Sequence, residues 1–225
     1  FGRGCYKSYE VGVNPNISRI RKGNDVYLDN ILKSGHGSVL EHGWLNWMLC
    51  EVSRVFTHEL VRHRVGTAFS QESLRFVRTN EIGFWLPGDL EVINTETGLL
   101  TLEQVDATNK ILIETVEYLE GQSKRINETL KLDEIKSFDI KKRLTTIVRR
   151  ILPEGLSTNI GWSCNIRTLR HLLEMRTSRH SEEEIRLVFG QIGYKVKERF
   201  PNLFGDYKIE MVNGLPEFTT EYKKV

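Results

Sequence analysis

Helical periodicity after residue 101 is the sequence feature that most constrains the fold. From Glu103 to Leu132, apolar side chains recur at intervals that keep them on roughly one face of a helix. These residues are Val105, Leu112, Val116 and Leu119. The segment is therefore predicted to form one long amphipathic helix, and the second half of the chain is expected to be built mainly from helices.

Capping residues predict three shorter helices after the long one. The predicted N-caps are Asp139, Asn165 and Ser181, the last in a capping box with Glu184. Apolar residues between 140 and 151 form a stripe on the first of these helices, which Pro153 and Gly155 are expected to end. The second helix is expected to run to about Thr177.

Two strands and a loop are predicted in the first half. The segment Gly43 to Val52 is compact and aromatic-rich, which favours a strand, and Ser53 can cap a helix running to about Arg62. The segment Ser70 to Arg78 alternates between two chemically different faces, which also favours a strand. Proline and glycine between Gly83 and Thr101 predict a long loop or hairpin.

These elements predict the class α/β (α+β): a mixed sheet with helices, a long helical second half, and a single large domain over residues 1–225. The 225 residues are 39% hydrophobic and 28% charged, which permits a sizeable core and excludes low-complexity and disordered classes. No apolar run approaches the ~20 residues that span a bilayer, and the N-terminal residues lack a signal-peptide pattern. We therefore expect no association with membranes.

Charge and cysteine content narrow the functional classes further. A formal net charge of +2 is too small for a general nucleic-acid binder, so no nucleic-acid partner is expected. The three cysteines, Cys5, Cys50 and Cys164, are far apart and form no C-x-x-C pair, which argues against a disulfide framework or a cysteine zinc site. A reducing, cytoplasmic location is expected.

Histidine and arginine are concentrated in two windows. All six histidines lie within residues 36 to 63 or 171 to 180, and arginines are dense in and beside the same windows. An isolated Arg62-His63-Arg64 would be read as a solvated basic helix end. The second cluster changes this interpretation, because Arg167 and His171 are four residues apart on one helix face. Two such clusters suggest a shared anionic, planar ligand, which the forked donors of arginine suit.

Other chemistries fit the sequence less well. His58 and His63 resemble a metalloprotease pair, but their i,i+5 spacing puts them roughly 140° apart around a helix, so no metal site is expected. Cys164 and His171 could form a nucleophile pair, although Cys164 has no activating motif and is better interpreted as a structural cysteine. Neither a G-x-G-x-x-G fingerprint nor a P-loop is present.

In combination, these motifs resemble those of the flavin-dependent thymidylate synthases, from Gly4 to about Phe204. The matching segments are His36-Gly37-Ser38-Val39-Leu40-Glu41-His42, Arg62-His63-Arg64 with Ser73-Leu74-Arg75, Arg149-Arg150-Ile151-Leu152-Pro153, Asn165-Ile166-Arg167, His171 and Arg176-Thr177-Ser178-Arg179-His180. The chain departs from the family pattern in three residues and in one spacing. Glu59, Ser70 and Phe76 stand where Gln, Asn and Tyr are common, and the gap between Arg64 and Ser73 is one residue longer.

The resemblance implies reductive methylation of dUMP to dTMP, with FAD as cofactor and with methylenetetrahydrofolate and NADPH as co-substrates. It also implies a homotetramer with shared active sites. By correspondence, the FAD-binding residues are Ser38, Glu41, Arg62, His63, Arg64, Gln71, Asn165, Ile166, Arg167 and His171. The dUMP-binding residues are Glu59, Leu60, Val61, Arg62, Gln71, Glu72, Ser73, Leu74, Arg75, Arg149 and Arg176. Arg176 is the predicted catalytic cation at the N3/O2 edge of uracil.

Two other functional classes remain open. A non-catalytic nucleotide-binding module could use the same arginines, and an interaction protein could carry them as surface charge. Bound flavin and turnover distinguish an enzyme from a binding module, which needs no redox cofactor.

Overall fold

The computed structural model describes residues 1–74, 83–88 and 98–223. Its α-helices are α1 (Gly2–Tyr6), α2 (Asn24–Lys33), α3 (Arg54–Leu60), α4 (Leu102–Thr129), α5 (Phe138–Val148), α6 (Ile166–Thr177), α7 (Glu183–Arg199) and α8 (Pro201–Phe204). Its strands are β1 (Trp44–Ser53), β2 (Thr67–Gln71), β3 (Ser157–Asn165), β4 (Lys208–Val212) and β5 (Leu215–Thr219). Short 3₁₀ helices cover Gly37–His42 and Arg149–Ile151. This confirms the mixed α/β class with a mainly helical second half.

The chain divides into two compact units. The terminal unit contains Phe1–Asn46, Arg64–Ala68 and Ser163–Val225, and the central unit contains Trp47–His63 and Phe69–Trp162. Strands β1, β3 and β2 form a sheet in that order, and β4 and β5 form an antiparallel hairpin. The expectation of a single domain stays a prediction.

The long helix and two predicted caps are confirmed. Helix α4 begins after a capping box that the sequence analysis missed, between Thr101 and Gln104. Ser53 caps α3 by accepting a hydrogen bond from the Phe56 N–H. Asn165 caps α6 in the same way, through the Thr168 N–H, and α6 ends at Thr177 as predicted.

Two other predicted caps are wrong. Asp139 lies in the first turn of α5, where a carboxylate favours the helix dipole, and the N-cap is Ser137. The cap of α7 is Glu182, which accepts from the Ile185 N–H. The Ser181 hydroxyl donates instead to the Met175 carbonyl, at 2.9 Å, and it does not cap α7.

Strand predictions were correct in part. Strand β1 matches its prediction within a residue, but β2 begins at Thr67 and overlaps the predicted strand only at residues 70 and 71. The rest of that prediction beyond residue 74 lies outside the described residues. In the predicted loop, Phe84 forms an antiparallel bridge with Leu156. Strand β3 and the β4–β5 hairpin were not predicted.

The core of the terminal unit contains a buried ion pair. Arg170 is fully buried, and its two terminal nitrogens donate to the two carboxylate oxygens of Asp206, each at 2.8 Å. Its guanidinium lies 4.9 Å from the centre of the Tyr207 ring. Although Arg170 belongs to the basic cluster of the sequence, its contacts are therefore structural. None of the described helices combines the length and the apolar character needed to cross a membrane.

Candidate active site

Helix α3, the end of β2 and the segment after α5 line a cleft in the central unit. The cleft has a volume of about 810 Å³. It brings together five of the residues predicted to bind dUMP: Gln71, Glu72, Ser73, Leu74 and Arg149. It is also lined by five residues outside the predicted set: Arg54, His58, Arg150, Leu152 and Glu154.

Positive charge dominates this central cleft. Arg54 and His58 are four residues apart, so α3 presents both on one face. Arg149 and Arg150 enter from the 3₁₀ helix that follows α5. Within the described residues, the guanidinium groups of Arg54, Arg149 and Arg150 form no hydrogen bond or ion pair. The cleft thus carries three guanidinium groups that can donate to an anion such as a phosphate, together with the carboxylates of Glu72 and Glu154.

Glu72, one of the two described acidic residues that line the cleft, is held in place. The Glu72 carboxylate accepts hydrogen bonds from the Asn159 backbone N–H at 3.1 Å and from its side-chain amide at 2.9 Å. The Asn159 side-chain oxygen in turn accepts from the Glu51 N–H, at 2.9 Å. Glu72 is thus positioned before any ligand binds.

Gln71 is fixed by a neighbour in the same unit. Its side-chain amide donates to the Thr57 hydroxyl at 3.1 Å, and Thr57 itself is buried in α3. The amide oxygen of Gln71 has no partner among the described residues, so it can accept a hydrogen bond from a ligand.

Of the remaining predicted dUMP residues that the structure describes, none is among the residues lining this cleft. Leu60 is completely buried, so only its backbone can meet a ligand. Glu59, Val61 and Arg62 lie at the end of α3 and just after it, with the Arg62 side chain exposed. Arg75 lies outside the described residues.

In the terminal unit, an ion pair joins two of the predicted FAD residues. Arg167 donates to Glu41 at 2.6 Å, and both side chains are roughly half exposed. A Cβ at Gly37 would lie 2.7 Å from the Arg167 side-chain nitrogen, so glycine at this position allows the guanidinium to lie against the backbone. The pair leaves other N–H groups of Arg167 available to a ligand.

Asn165 and Ile166 contribute mainly to local structure. Both are buried, and the Asn165 side-chain oxygen is used by the α6 cap. Gly66 has a φ of 68° and approaches Asn165 so closely that a Cβ there would lie 2.4 Å from its amide nitrogen. The Thr168 hydroxyl donates to the Val65 carbonyl, at 2.8 Å, and so holds this turn against α6.

The other predicted FAD residues fall in both units. Ser38 and His171 are exposed in the terminal unit, and Arg64 is also exposed there. His63 is half-buried in the central unit. Arg176, the predicted catalytic residue, is half-buried in the last turn of α6 in the terminal unit.

The cysteines differ in their exposure. Cys164 is completely buried, whereas Cys5 and Cys50 are exposed. No group of three or more His, Cys, Asp or Glu side chains in residues 1–74, 83–88 and 98–223 could hold a metal ion.

Sequence reasoning missed Arg54, Arg150 and Asn159 as contributors to the central cleft. The two arginines carried a usable signal, because Arg54 precedes His58 at helical spacing and Arg150 adjoins a predicted site residue. Asn159 carried none, because its partner Glu72 is 87 residues away in the sequence.

Comparison with known proteins identifies the family. The model of the thymidylate synthase complementing protein family matches residues 1–202. A flavin-dependent thymidylate synthase of Corynebacterium efficiens is 34% identical over 98% of this chain and 83% of its own length. Proteins of the same name from Mycobacteroides abscessus, 32% identical over 92% and 77%, and Mycobacterium avium, 30% identical over 97% and 82%, are also similar. The chain therefore belongs to the flavin-dependent thymidylate synthase family, and it is an enzyme.

Proposed function

We propose that this enzyme converts dUMP to dTMP, taking the one-carbon unit from methylenetetrahydrofolate and using FAD as cofactor and NADPH as reductant. The observation that carries the proposal is the central cleft, which is lined by Arg54, Arg149 and Arg150 together with the segment Gln71–Leu74. When bound, the flavin supplies the reducing equivalents for the methyl group. The protein's own contribution is to bind, orient and polarise the substrate.

The phosphate of dUMP is assigned to Arg149, with Arg54 and Arg150 beside it. Forked N–H donors suit phosphate oxygens, and within residues 1–74, 83–88 and 98–223 no ion pair of these groups must be broken on binding. The Ser73 hydroxyl, on the same wall, is a further candidate donor. Glu72, held by Asn159, is available to accept from a donor group of the nucleotide.

The residues of the terminal unit fit an anionic flavin cofactor. Arg167 and His171 are exposed on one face of α6, and Arg64 belongs to the same unit. Arg167 packs closely over Gly37, which restricts the position of its guanidinium. One terminal nitrogen of Arg167 donates to Glu41. The pyrophosphate of FAD requires donors of this kind.

Arg176 is assigned to the N3/O2 edge of uracil. Its position in the last turn of α6 is favourable for a cation because of the helix dipole. A guanidinium at that edge would stabilise the negative charge that develops when N3 loses its proton. Carbon 5 would then be nucleophilic enough to attack without a covalent bond to the enzyme.

We further propose a homotetramer in which each site draws Arg75 from one subunit and Arg176 from another. Arg75→Ala and Arg176→Ala would each be nearly inactive alone. When the two variants are unfolded, mixed and refolded, up to about a quarter of all sites should regain both arginines under random mixing of the chains. Hybrid tetramers with only the summed activity of the parents would mean that both arginines come from one chain.

The proposed reaction is tested by giving the purified protein FAD, NADPH, methylenetetrahydrofolate and dUMP without oxygen and measuring dTMP. Formation of dTMP that requires FAD supports the proposal. The alternative, a non-catalytic nucleotide-binding module, would bind dUMP at equilibrium and yield no dTMP with any reductant. That outcome would overturn the enzymatic assignment of the central cleft.

A further inference from the structure

A second cleft lies within the terminal unit, and none of the residues that line it is assigned to dUMP. It has a volume of about 160 Å³ and is lined by residues near the N-terminus together with α2. Three of its lining residues are arginines, Arg3, Arg19 and Arg21, and no Asp or Glu of the described part of the chain lines it. We call it the N-terminal cleft. Its electrostatics favour an anion.

One of these arginines is held rigidly. Arg3 donates to the backbone carbonyls of Ser8, at 3.3 Å, and Arg21, at 2.7 Å. Its guanidinium also lies 4.6 Å from the centre of the Tyr27 ring. These contacts fix both Arg3 and the backbone that carries Arg21, so the charged wall of the cleft is organised without a ligand.

The other two arginines are uncommitted. Within the described residues, the side chains of Arg19 and Arg21 form no hydrogen bond or ion pair, although both line the cleft. Positive side chains that line one small cleft repel each other, and an anion bound among them would relieve that repulsion. The arrangement therefore favours binding of an oxyanion.

An aromatic platform forms part of the same cleft. The rings of Tyr6 and His36 stack with centroids 5.3 Å apart, and the Tyr6 hydroxyl lies 3.0 Å from a ring nitrogen of His36. His36 is the N-cap of the 3₁₀ helix that carries Ser38, a predicted FAD residue. The cleft thus combines cations with planar rings and lies next in sequence to the predicted flavin site.

We propose that the N-terminal cleft binds the oxyanion of a co-substrate that also carries a planar ring system. This inference rests on the proposed function. Two co-substrates of that reaction have the required chemistry: NADPH carries a phosphate on its adenosine ribose, and methylenetetrahydrofolate carries a carboxylate tail. Arg19 and Arg21 supply the donors, and Arg3 holds the wall of the cleft in place.

The test compares the double variant Arg19→Ala/Arg21→Ala with Lys22→Ala, which removes a neighbouring exposed charge that does not line the cleft. The KM values are measured for NADPH, NADH, dUMP, and the mono- and triglutamyl forms of methylenetetrahydrofolate. We expect one co-substrate KM to rise about 10-fold or more in the double variant, since hydrogen bonds to charged groups are lost. The KM for dUMP should not change in either variant.

The two sources of the oxyanion give different results. A rise for NADPH without a rise for NADH assigns the cleft to the ribose phosphate, and a rise for the folates, larger for the triglutamyl form, assigns it to the carboxylates. Unchanged KM values in a folded, flavin-loaded double variant would overturn the proposal, as would an equal loss of kcat for all substrates.

Failure of the proposed reaction can be recognised separately. If the unmodified protein forms no dTMP, equilibrium titrations of the flavin-loaded protein with NADP⁺ and with folate triglutamate still test the cleft. Binding that weakens in the double variant but not in Lys22→Ala would support an oxyanion site in a protein with another activity. No binding of either ligand by the unmodified protein would overturn it.

Discussion

Asn159 holds the carboxylate of Glu72 through two hydrogen bonds, from its backbone N–H at 3.1 Å and from its side-chain amide at 2.9 Å. The Glu72 N–H donates back to the Asn159 carbonyl, at 3.0 Å. This reciprocal link connects the end of β2 to β3 at the rim of the central cleft. It fixes an acidic side chain in the same cleft as Arg54, Arg149 and Arg150.

Asn159→Ala should raise the KM for dUMP several-fold while leaving the dissociation constant for FAD unchanged. The variant keeps the backbone bonds between Asn159 and Glu72 but removes the side-chain amide from the Glu72 carboxylate and the side-chain acceptor from the Glu51 N–H. Glu72 must then be ordered further when the nucleotide binds. Asn46→Ala is a matched control, because it also removes a cross-strand side-chain bond, from the Ser163 hydroxyl at 2.6 Å. Equal effects of the two variants on the KM for dUMP would contradict a positioning role for Asn159.

Arg54→Ala and Arg150→Ala should each weaken dUMP binding about 10-fold, because each removes a charged donor from the central cleft. Deoxyuridine, which lacks the phosphate, should bind equally to the unmodified and variant proteins. Calorimetry with both ligands measures this difference. Arg143→Ala, which removes an exposed arginine of α5 outside the cleft, is the control. A parallel loss of deoxyuridine binding would show that these arginines do not act on the phosphate.

The buried Arg170–Asp206 pair predicts a pH dependence of stability. Burial alone would raise the pKa of Asp206, but hydrogen bonds from Arg170 and Thr220 outweigh it and hold the pKa below its ordinary value. The carboxylate therefore stabilises the fold at neutral pH. That stability is lost as pH falls from about 3.9, the ordinary pKa of an aspartate, through the lower pKa of the folded state.

Asp206→Ala should lower the free energy of unfolding at pH 7 by about 3 kcal/mol, since it leaves the Arg170 charge buried without its partner. Urea titrations at several pH values would measure the loss and its disappearance in acid. Glu221→Ala breaks an exposed pair with Lys208 in the same unit and should change the midpoint little. A similar midpoint for both variants would show that Asp206 does not support the core.

Arg176→Lys should reduce the rate of methylation by about 10²–10³, the usual effect of losing one preorganised donor. Lysine keeps the charge but lacks the planar fork that can face two ring atoms. Flavin binding should change far less, which a fluorescence titration with FAD would show. Near-normal turnover in this variant would remove Arg176 from the catalytic role.

Local signals in the sequence predicted some elements closely. Helix α6 and its Asn165 cap follow from a few adjacent residues, because the capping bond spans only three positions. The hairpin of β4 and β5 was not predicted from local signals, because residues far away in the sequence stabilise it. An example is the buried Thr177 hydroxyl, which accepts from the Phe218 N–H, 41 residues away.

The same distinction applies to the candidate site. Motif spacing drew attention to Arg149 and to the segment after β2, and the structure brings these residues into one cleft. Motif spacing could not distinguish Arg170, whose charge is buried against Asp206, from the arginines whose side chains can reach a ligand. Nor could it show that Leu60, adjacent to predicted binding residues, is fully buried. Both depend on tertiary packing rather than on residue type.

The most direct test of the central claim is tritium release from dUMP labelled at carbon 5, measured with a variant that lacks all three cysteines. Cys5→Ser, Cys50→Ser and Cys164→Ala together remove every thiol, and alanine suits the buried position of Cys164. A flavin-dependent reaction without a covalent thiol predicts FAD-dependent tritium release and dTMP formation close to those of the unmodified enzyme. Abolished turnover in a folded, flavin-loaded triple variant would contradict it.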